Sequence, residues 1–287
     1  MGEITMNDLA SWIGRARELD DELTAPAMRR LAALLDRYEV TLARGAPAPP
    51  HWIAVLFDDA APQSRIGPDG VAIQAEFLPP APLPRRMLGG RRLRFLASPH
   101  IGDVLVRRSE IAAITPKQGR SGRLVFVTVR HTVTGPAGVV AVEEQDIAYR
   151  EAAGTAPAAA EPTQPPPDAA WSEPFRTDPV MLFRYSALGF NGHRIHYDAD
   201  YARGVEGYPA LVVNGGLTTL MLLEAALRHA SPGGRIAAYD ARTFRPLFCG
   251  RAATLSGAAP DSEGRTLLWA ADETEAMALR ITARIEP

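Results

Sequence analysis

The chain has 287 residues, which is enough for two domains of ordinary size or one large domain. Hydrophobic residues make up 46% and charged residues 22%, a balance that is typical of a soluble globular protein and excludes wholesale disorder. Lys and Arg number 31 against 33 Asp and Glu, so the net charge is −2 and nucleic acid is not an expected partner. The one cysteine, Cys249, predicts a cytoplasmic protein, and no apolar run approaches the roughly 20 residues of a membrane span.

The N-terminal half begins with two stretches of helical spacing. Apolar residues recur there every three or four positions, which predicts two amphipathic helices. The stretches contain Leu9, Trp12, Ile13, Ala16 and Leu19, and then Met28, Leu31, Leu34 and Leu35. A short apolar segment at residues 52–57 is the candidate central helix of this half. Runs rich in β-branched residues at 103–115, 122–133 and 139–149 predict an antiparallel meander, because short turns connect them.

A shift in composition near the middle of the chain predicts a domain boundary. Residues 151–173 are rich in Ala and Pro and have almost no large apolar side chain except Trp171. Such a segment cannot bury enough surface to offset its ordering entropy. We therefore predict an N-terminal domain over residues 1–150, a linker over 151–173 and a C-terminal domain over 174–287.

The C-terminal half contains one segment that is apolar on almost every side, at residues 217–229, which predicts a buried helix. Strand-like runs follow at 235–239, 244–249, 252–257, 266–271 and 277–285. A buried helix wrapped by an antiparallel sheet is the hot-dog fold. The predicted fold class is therefore α+β, a double hot-dog in which two antiparallel sheets each wrap a central helix.

Polar residues concentrate just before this helix, in residues 190–198. The chain has only three Asn and six His, yet Asn191, His193 and His196 fall within this stretch. Gly192 permits a sharp loop, so Asn191 and His196 are predicted to face one water molecule. A histidine can remove a proton from that water and return one, while the asparagine amide can orient water or substrate.

A second candidate element, Asn214-Gly215-Gly216, directly precedes the buried helix. Free N–H groups at a helix N-terminus stabilise developing negative charge, and glycines let a substrate approach closely. A base and an oxyanion site together are the minimum equipment for chemistry through a thioester enolate. These residues therefore predict hydration of an enoyl thioester, or the reverse dehydration.

Five segments carry a family resemblance. FRYSALGFNGHRIHYDADYA (residues 183–202) and EGYPALVVNGGLTTLMLLE (206–224) resemble the MaoC-like hydratase/dehydratase domain. PLPRRMLGGRRLRFLASPHIGD (82–103), GRSGRLVFVTVRH (119–131) and EEQDIAYR (143–150) are similar to 3-methylfumaryl-CoA (mesaconyl-CoA) hydratases and to mitochondrial-type 3-hydroxyacyl-thioester dehydratases. The resemblance covers most of the chain, about residues 82–245.

The resemblance implies a double hot-dog in which only the C-terminal half keeps a catalytic motif, with a CoA thioester as substrate and no metal or other cofactor. It places His196 on the family's catalytic histidine and Asn191 on a position that is Asp in the wider group and Asn in this subgroup. Gly215 falls on the helix-start glycine whose N–H faces the thioester oxygen. The chain departs from the family at residues 214–217, which read Asn-Gly-Gly-Leu instead of His-Gly-Pro-Leu. This change is expected to affect specificity or rate.

Several arginines are candidate anion-binding residues, because guanidinium binds carboxylate and phosphate in bidentate fashion. Arg184 and Arg245 are predicted to bind a substrate carboxylate or a CoA phosphate. A basic cluster in the N-terminal half is interpreted as a solvated loop, with docking of the CoA 3′-phosphate as the alternative. It consists of Arg85, Arg86, Arg91 and Arg92.

The remaining predicted substrate-binding residues are Tyr185, His193, Asn214 and Gly216. Asn214 has an alternative role as a helix N-cap, and both roles are compatible. His193, His196 and Asp198 form an alternative metal site, since two histidines and a carboxylate are adequate ligands. We expect no metal there, because no further ligand lies nearby in the sequence.

The sequence as a whole predicts a hydro-lyase. It would add water reversibly to a short branched or carboxylated enoyl-CoA, of the type that converts 3-methylfumaryl-CoA to citramalyl-CoA. Two alternatives stay open: dehydration of a 3-hydroxyacyl thioester on CoA or acyl carrier protein, and a hot-dog module that binds thioesters without catalysis. The expected partner is a CoA thioester, and a homodimer is compatible with the fold because hot-dog sheets commonly pair across an edge.

Overall fold

The computed structural model describes residues 9–58, 60–73, 77–80, 83, 85–119, 122–150 and 163–287. Four α-helices are described in full within these ranges: α1 (Ala25–Leu35), α2 (Pro179–Leu188), α3 (Ala199–Gly204) and α4 (Gly215–His229). Short 3-10 helices cover Pro50–Val55, Gln63–Arg65 and Arg194–His196. Most of the predicted linker, residues 151–162, lies outside the described residues.

Ten strands lie in the described part of the chain. They are β1 (Ala16–Glu22), β2 (Arg85–Phe95), β3 (Val104–Gly119), β4 (Gly122–Gly135), β5 (Gly138–Arg150), β6 (Trp171–Phe175), β7 (Arg235–Thr243), β8 (Ala253–Gly257), β9 (Arg265–Asp272) and β10 (Met277–Glu286). The predicted meander is confirmed as β3, β4 and β5. The C-terminal predictions are confirmed for β7, β8, β9 and β10. Strand β6 takes in residues 171–173, which the sequence analysis assigned to the linker.

The strands form one antiparallel sheet in the order β1-β3-β4-β5-β2-β7-β10-β9-β8-β6. The first five strands in this order precede residue 151 in the chain, and the other five follow residue 170. Strands β2 and β7 join the two sets, with Arg91 opposite Ala241 and Leu93 opposite Tyr239. The two predicted sheets therefore meet edge to edge as one continuous sheet.

The first predicted helix is wrong in its second half, because Ala16 and Leu19 lie in β1. Exposure alternates from residue to residue along this strand, and Ala16 lies opposite Glu110 of β3. The two-residue period of an edge strand thus overrides the helical spacing of a few apolar residues. The second predicted helix is confirmed as α1, which begins where the Thr24 hydroxyl accepts a hydrogen bond from the N–H of Ala27 at 3.3 Å.

Two further segments differ from their predictions. Residues 244–249 form no strand and make only one isolated bridge, between Phe248 and Val212. Pro246 lies within that segment, and a proline cannot donate to a sheet ladder. The basic cluster that was interpreted as a solvated loop instead lies in β2, where Arg91 pairs with Glu143 and Arg92 with Asp146.

Helix α4 is the central helix of the C-terminal half, and its buried side chains pack against β7, β8, β9 and β10. Leu217, Leu222 and Ala225 on this helix are completely buried. The predicted central helix of the N-terminal half is only the 3-10 helix Pro50–Val55, which packs against α4 and β7 and whose Trp52 is also completely buried. Apolar residues from both halves belong to one continuous core.

A buried carboxylate of α4 binds two elements of the N-terminal half. Glu224 accepts hydrogen bonds from His51 Nε2 at 2.8 Å and from Trp52 Nε1 at 2.7 Å, and it pairs with Arg37. Burial by itself would raise the pKa of Glu224, but the bonds from His51 and Trp52 and the charge of Arg37 lower it to about 2. The carboxylate is therefore ionised at neutral pH and links the two halves through their interior.

No helix within the described ranges is long and apolar enough to cross a membrane.

Candidate active site

Helix α2 delivers the candidate asparagine. The helix begins at Pro179 with the Asp178 carboxylate accepting a hydrogen bond from Met181 N at 2.8 Å, and it ends at Leu188. Phe190 then adopts a left-handed conformation with φ of 47°, so the chain turns back and Asn191 N donates to Ser186 O at 2.8 Å. The position of Asn191 therefore follows from how α2 ends.

The loop after Asn191 is held from both halves of the protein. Asn191 Oδ1 accepts a hydrogen bond from His193 N at 3.1 Å, which leaves its NH2 group to orient water or substrate. A loop of the N-terminal half packs on the other side, where Arg194 N donates to Asp69 O at 2.8 Å. At Gly70, which has φ of +83°, a Cβ atom would lie 1.9 Å from Gly192 O, so the two backbones are in direct contact.

His196 lies at the end of the 3-10 helix Arg194–His196 and is only 8% exposed. Its Nδ1 lies 2.7 Å from Val212 O, and because a carbonyl only accepts, Nδ1 carries the proton of the neutral ring. Nε2 therefore has the free lone pair of a base. Burial lowers the pKa of His196 to about 4, although the bond to Val212 acts in the opposite direction. At neutral pH the ring is in its basic form.

This pKa predicts the pH dependence of catalysis. We expect kcat/KM to stay level from about pH 7 to pH 5 and to fall through about pH 4, because only the neutral His196 ring accepts a proton. An ordinary histidine would produce this fall near about pH 6.5. The unfolded chain binds this proton below about pH 6.5 while the folded chain does not, so stability also falls as the pH drops.

The measurement is initial rate against pH, with samples returned to neutral pH to separate reversible protonation from unfolding. An acidic limb between about pH 6 and pH 7 with full recovery on return would contradict a base of lowered pKa at this position.

Helix α4 presents its N-terminus to the same region. The first bond within the helix runs from Thr218 N to Asn214 O at 3.1 Å, so the N–H groups of Gly215 and Gly216 have no partner inside the helix. Unpaired N–H groups and the helix dipole both favour negative charge at this end. The predicted oxyanion position is therefore chemically suitable for a thioester oxygen.

Asn214 occupies the N-cap position, but its side chain makes no capping bond. Its Nδ2 lies 3.4 Å from Ser186 Oγ, a long hydrogen bond that ties α4 to α2. Asn214 Oδ1 is buried and accepts no hydrogen bond within the described ranges. The predicted capping role of the Asn214 side chain is therefore wrong. Its buried amide oxygen is an unused acceptor beside the start of α4.

Tyr185 reaches the start of α4 from α2. Its side chain is buried, and a Cβ atom on Gly216 would lie only 2.1 Å from its hydroxyl oxygen. Burial raises the pKa of Tyr185 to about 12, against the opposing charge of Arg91, so the phenol stays protonated. No hydrogen-bond partner for this hydroxyl is present among the residues that the structure describes. The phenol is therefore a free donor beside Gly216.

This contact makes Gly216 and Gly215 a matched pair for mutation. We expect Gly216→Ala to lower the free energy of unfolding by about 1–3 kcal/mol, because the methyl group collides with Tyr185. Gly215→Ala meets no atom within 4 Å and is expected to be neutral or stabilising. Denaturant titration compares the two, and Tyr185→Phe should restore part of the loss in the Gly216 variant. Equal effects at both glycines would contradict the contact.

Two predicted residues lie apart from this group. Arg184 is exposed on α2 and acts electrostatically on Tyr38. Arg245 forms an ion pair with Asp272 at 3.1 Å.

The alternative metal site finds no support, since Asp198 instead caps α3 by accepting a hydrogen bond from Tyr201 N at 2.9 Å. Across the described ranges, no group of three or more His, Cys, Asp or Glu side chains is placed to hold a metal ion.

The structure adds residues that the sequence analysis missed. Ser186 contacts both Asn191 and Asn214, and the Val212 carbonyl fixes the ring of His196. Ser186 lies inside the segment that carries the family resemblance, so the resemblance could have indicated it as a site residue. The residue types do not indicate which backbone carbonyl accepts a bond from a side chain, as Val212 O does from His196. Arg91 of β2 and Tyr239 of β7 interact electrostatically with Tyr185, and predicting this would require the strand register to be known.

Comparison with known proteins gives a consistent result. The chain matches the family described as hydroxyacyl-thioester dehydratase type 2 over residues 51–249. It is 41% identical over 241 residues to mesaconyl-C(4)-CoA hydratase of Chloroflexus aurantiacus, covering 84% of this chain and 85% of that relative.

Solved structures agree on the fold. A MaoC-like dehydratase from Phytophthora capsici superposes with a TM-score of 0.71 at 15% identity, covering 99% of each chain. A conserved Mycobacterium tuberculosis protein with a double hot-dog fold has a TM-score of 0.57 at 16% identity, covering 96% of each. The predicted fold class, family resemblance and enzyme class are thus confirmed. The chain belongs to the hydroxyacyl-thioester dehydratase type 2 family.

Proposed function

We propose that the protein catalyses the reversible hydration of a short enoyl-CoA that carries a free carboxylate, of the 3-methylfumaryl-CoA type. The observation that carries the proposal is His196, whose Nδ1 is engaged by Val212 O so that Nε2 is the base. The similarity to a mesaconyl-C(4)-CoA hydratase supports the choice of acyl group. In such an ester the β-carbon bears both the methyl group and the carboxylate.

In the proposed reaction, His196 Nε2 takes a proton from a water molecule that the amide of Asn191 orients. The resulting hydroxide attacks the β-carbon, a C–O bond forms and the C=C π bond breaks toward the thioester. The buried imidazolium is a stronger acid than an ordinary one, because burial opposes its charge. It therefore returns its proton readily to the α-carbon, and the product is a 3-hydroxyacyl thioester of citramalyl-CoA type.

Charge that develops on the thioester oxygen is proposed to face the N–H of Gly215. The helix α4 that carries this N–H is 15 residues long, so its N-terminus has a well-developed partial positive charge. His196 carries out both proton transfers, and the backbone N–H of Gly215 stabilises the negative charge on the thioester oxygen. The proposed reaction accordingly needs no metal or redox cofactor.

The proposal is tested with a panel of CoA esters. Purified protein is mixed with 3-methylfumaryl-CoA, with crotonyl-CoA and with a long unbranched 2-enoyl-CoA, and the ultraviolet absorbance of the conjugated thioester is followed. We expect the fastest loss with 3-methylfumaryl-CoA. Preference for the long unbranched ester would overturn the proposed substrate class, and binding without any change in absorbance would favour a non-catalytic thioester-binding module.

A second candidate is dehydration of a 3-hydroxyacyl thioester on CoA or acyl carrier protein. The match to the hydroxyacyl-thioester dehydratase type 2 family over residues 51–249 favours it. Because hydration is reversible, the same residues serve both directions, and the acyl preference in the panel separates the two. The cytoplasm is the proposed site of action, since a single cysteine, Cys249, is typical of a protein in a reducing compartment.

A further inference from the structure

Arg91 lies where the two halves of the sheet join. It is opposite Gln145 of β5 on one side and Ala241 of β7 on the other. Directly paired residues of neighbouring strands share a face of the sheet, and so do residues two apart along one strand. Arg91 therefore lies on the same face as Ala241 and Tyr239, both of which belong to the core around α4.

One edge of the Arg91 guanidinium is held by the protein. Its Nε donates to Glu143 Oε1 at 2.6 Å, and Gln145 Nε2 donates to the same oxygen at 2.8 Å. The pKa of Arg91 is raised by Glu143 although burial opposes the charge, so the guanidinium is always protonated. Its two terminal nitrogens donate to no residue in the described part of the chain, and its side chain is 22% exposed. A fork of donors is thus fixed in place with its outer edge unused.

Two buried phenols lie within electrostatic range of Arg91. Tyr185 and Tyr239 are 9% and 4% exposed, and the positive charge of Arg91 acts on both. Burial raises the pKa of Tyr239, like that of Tyr185, to about 12, so both hydroxyls are donors at neutral pH. The Tyr185 hydroxyl also touches Gly216 at the start of α4. Tyr185 therefore touches the start of α4 and interacts electrostatically with Arg91.

We propose that Arg91, with Tyr185 and Tyr239, binds the free carboxylate of the acyl group and so selects CoA monothioesters of dicarboxylic acids. This inference rests on the proposed function and assigns its specificity to named residues. In 3-methylfumaryl-CoA the carboxylate is attached to the β-carbon, so only the two carbons of the double bond separate it from the thioester carbonyl, to which it is trans. A short acyl chain fits a guanidinium whose charge acts on Tyr185, the residue that touches Gly216 at the start of α4. A planar carboxylate also matches the two terminal N–H groups of Arg91.

The test uses saturated esters, which bind but cannot be hydrated. Succinyl-CoA and butyryl-CoA each have a four-carbon acyl chain and differ at its end by carboxylate against methyl. We expect Arg91→Gln to weaken succinyl-CoA binding by about 10- to 100-fold and to change butyryl-CoA binding less than about threefold. Arg94→Gln is the matched control, because Arg94 lies on the same strand but is exposed on the opposite face. Calorimetric Kd values decide the result.

A second variant keeps the test valid if the first one folds poorly. Arg91→Gln leaves Glu143 ionised and largely buried, whereas Arg91→Gln combined with Glu143→Gln removes both charges. The double variant should show the same selective loss for succinyl-CoA. Equal weakening of both esters, or no change in either, overturns the assignment.

These results are separable from those of the proposed function. Wild-type protein that hydrates 3-methylfumaryl-CoA but binds succinyl-CoA and butyryl-CoA equally well would refute the Arg91 assignment and leave the hydratase proposal standing. Wild-type protein that prefers succinyl-CoA through Arg91 yet hydrates nothing in the panel would refute the hydratase and support the carboxylate site.

Discussion

Replacement of His196 by Ala is expected to lower kcat by about 10²–10⁴-fold, the range for loss of one general acid–base group. His196→Asn is the sharper variant, because its Nδ2 can take the place of Nδ1 and keep the bond to Val212 O. It should fold as well as wild type and lose activity to the same extent, since no atom replaces Nε2.

The control for this experiment is His229→Asn, on the exposed side chain that stacks on Trp171 and binds Glu173. It should keep kcat within about threefold of wild type, a change of less than about 1 kcal/mol in activation free energy. Stopped-flow rates with 3-methylfumaryl-CoA and melting curves at one pH complete the comparison. If His196→Asn turned over substrate as fast as the His229 variant, another group would have to be the base.

Replacement of Glu224 by Ala is expected to lower the free energy of unfolding by about 3–5 kcal/mol, because three partners lose one buried carboxylate. His51 Nε2 and Trp52 Nε1 each donate to it, and both residues are almost fully buried. Glu224→Gln keeps the shape and one acceptor oxygen, so we expect a smaller loss of about 1–3 kcal/mol. Urea titrations at neutral pH give both values.

Glu173 provides the comparison, since it also pairs with one arginine and one histidine, Arg228 and His229, but on the surface. Glu173→Ala should cost no more than about 1 kcal/mol. The folded-state pKa of Glu224 is lowered to about 2, so its contribution is complete above about pH 4.5 and is lost as the pH falls toward 2. Similar losses for the two glutamates would show that burial does not strengthen the Glu224 network.

The sequence was most informative where one segment carries several signals together. Residues 190–198 combine rare residue types with a glycine. In the structure His193 N donates to Asn191 Oδ1, and the rings of His193 and His196 lie 5.6 Å apart. Helix α4 was predictable because apolar residues cover nearly all of its surface; the two glycines placed before it from the sequence are its first two residues. Its one acidic residue, Glu224, gave no such signal, since its partners lie more than 170 positions away in the chain.

Long-range pairing explains most of the other differences. Strand β1 has few apolar residues and exists because β3 supplies its hydrogen-bond partners. The role of Arg91 could not be read from a cluster of four arginines, because strand alternation sends Arg91 to one face and Arg92 to the other. The exposure of Arg184 and the ion pair of Arg245 likewise depend on neighbours that spacing alone does not reveal.

The backbone contact between Gly70 and Gly192 has a consequence for how such enzymes are catalogued. The N-terminal half shapes the loop that holds the candidate residues of the C-terminal half, through Gly70 and through Asp69 O bound to Arg194 N. A protein truncated to residues 174–287 would keep the complete motif but would lose the backbone contacts of Asp69 and Gly70 that position its loop. Inventories compiled from the motif alone would therefore count such fragments as working enzymes.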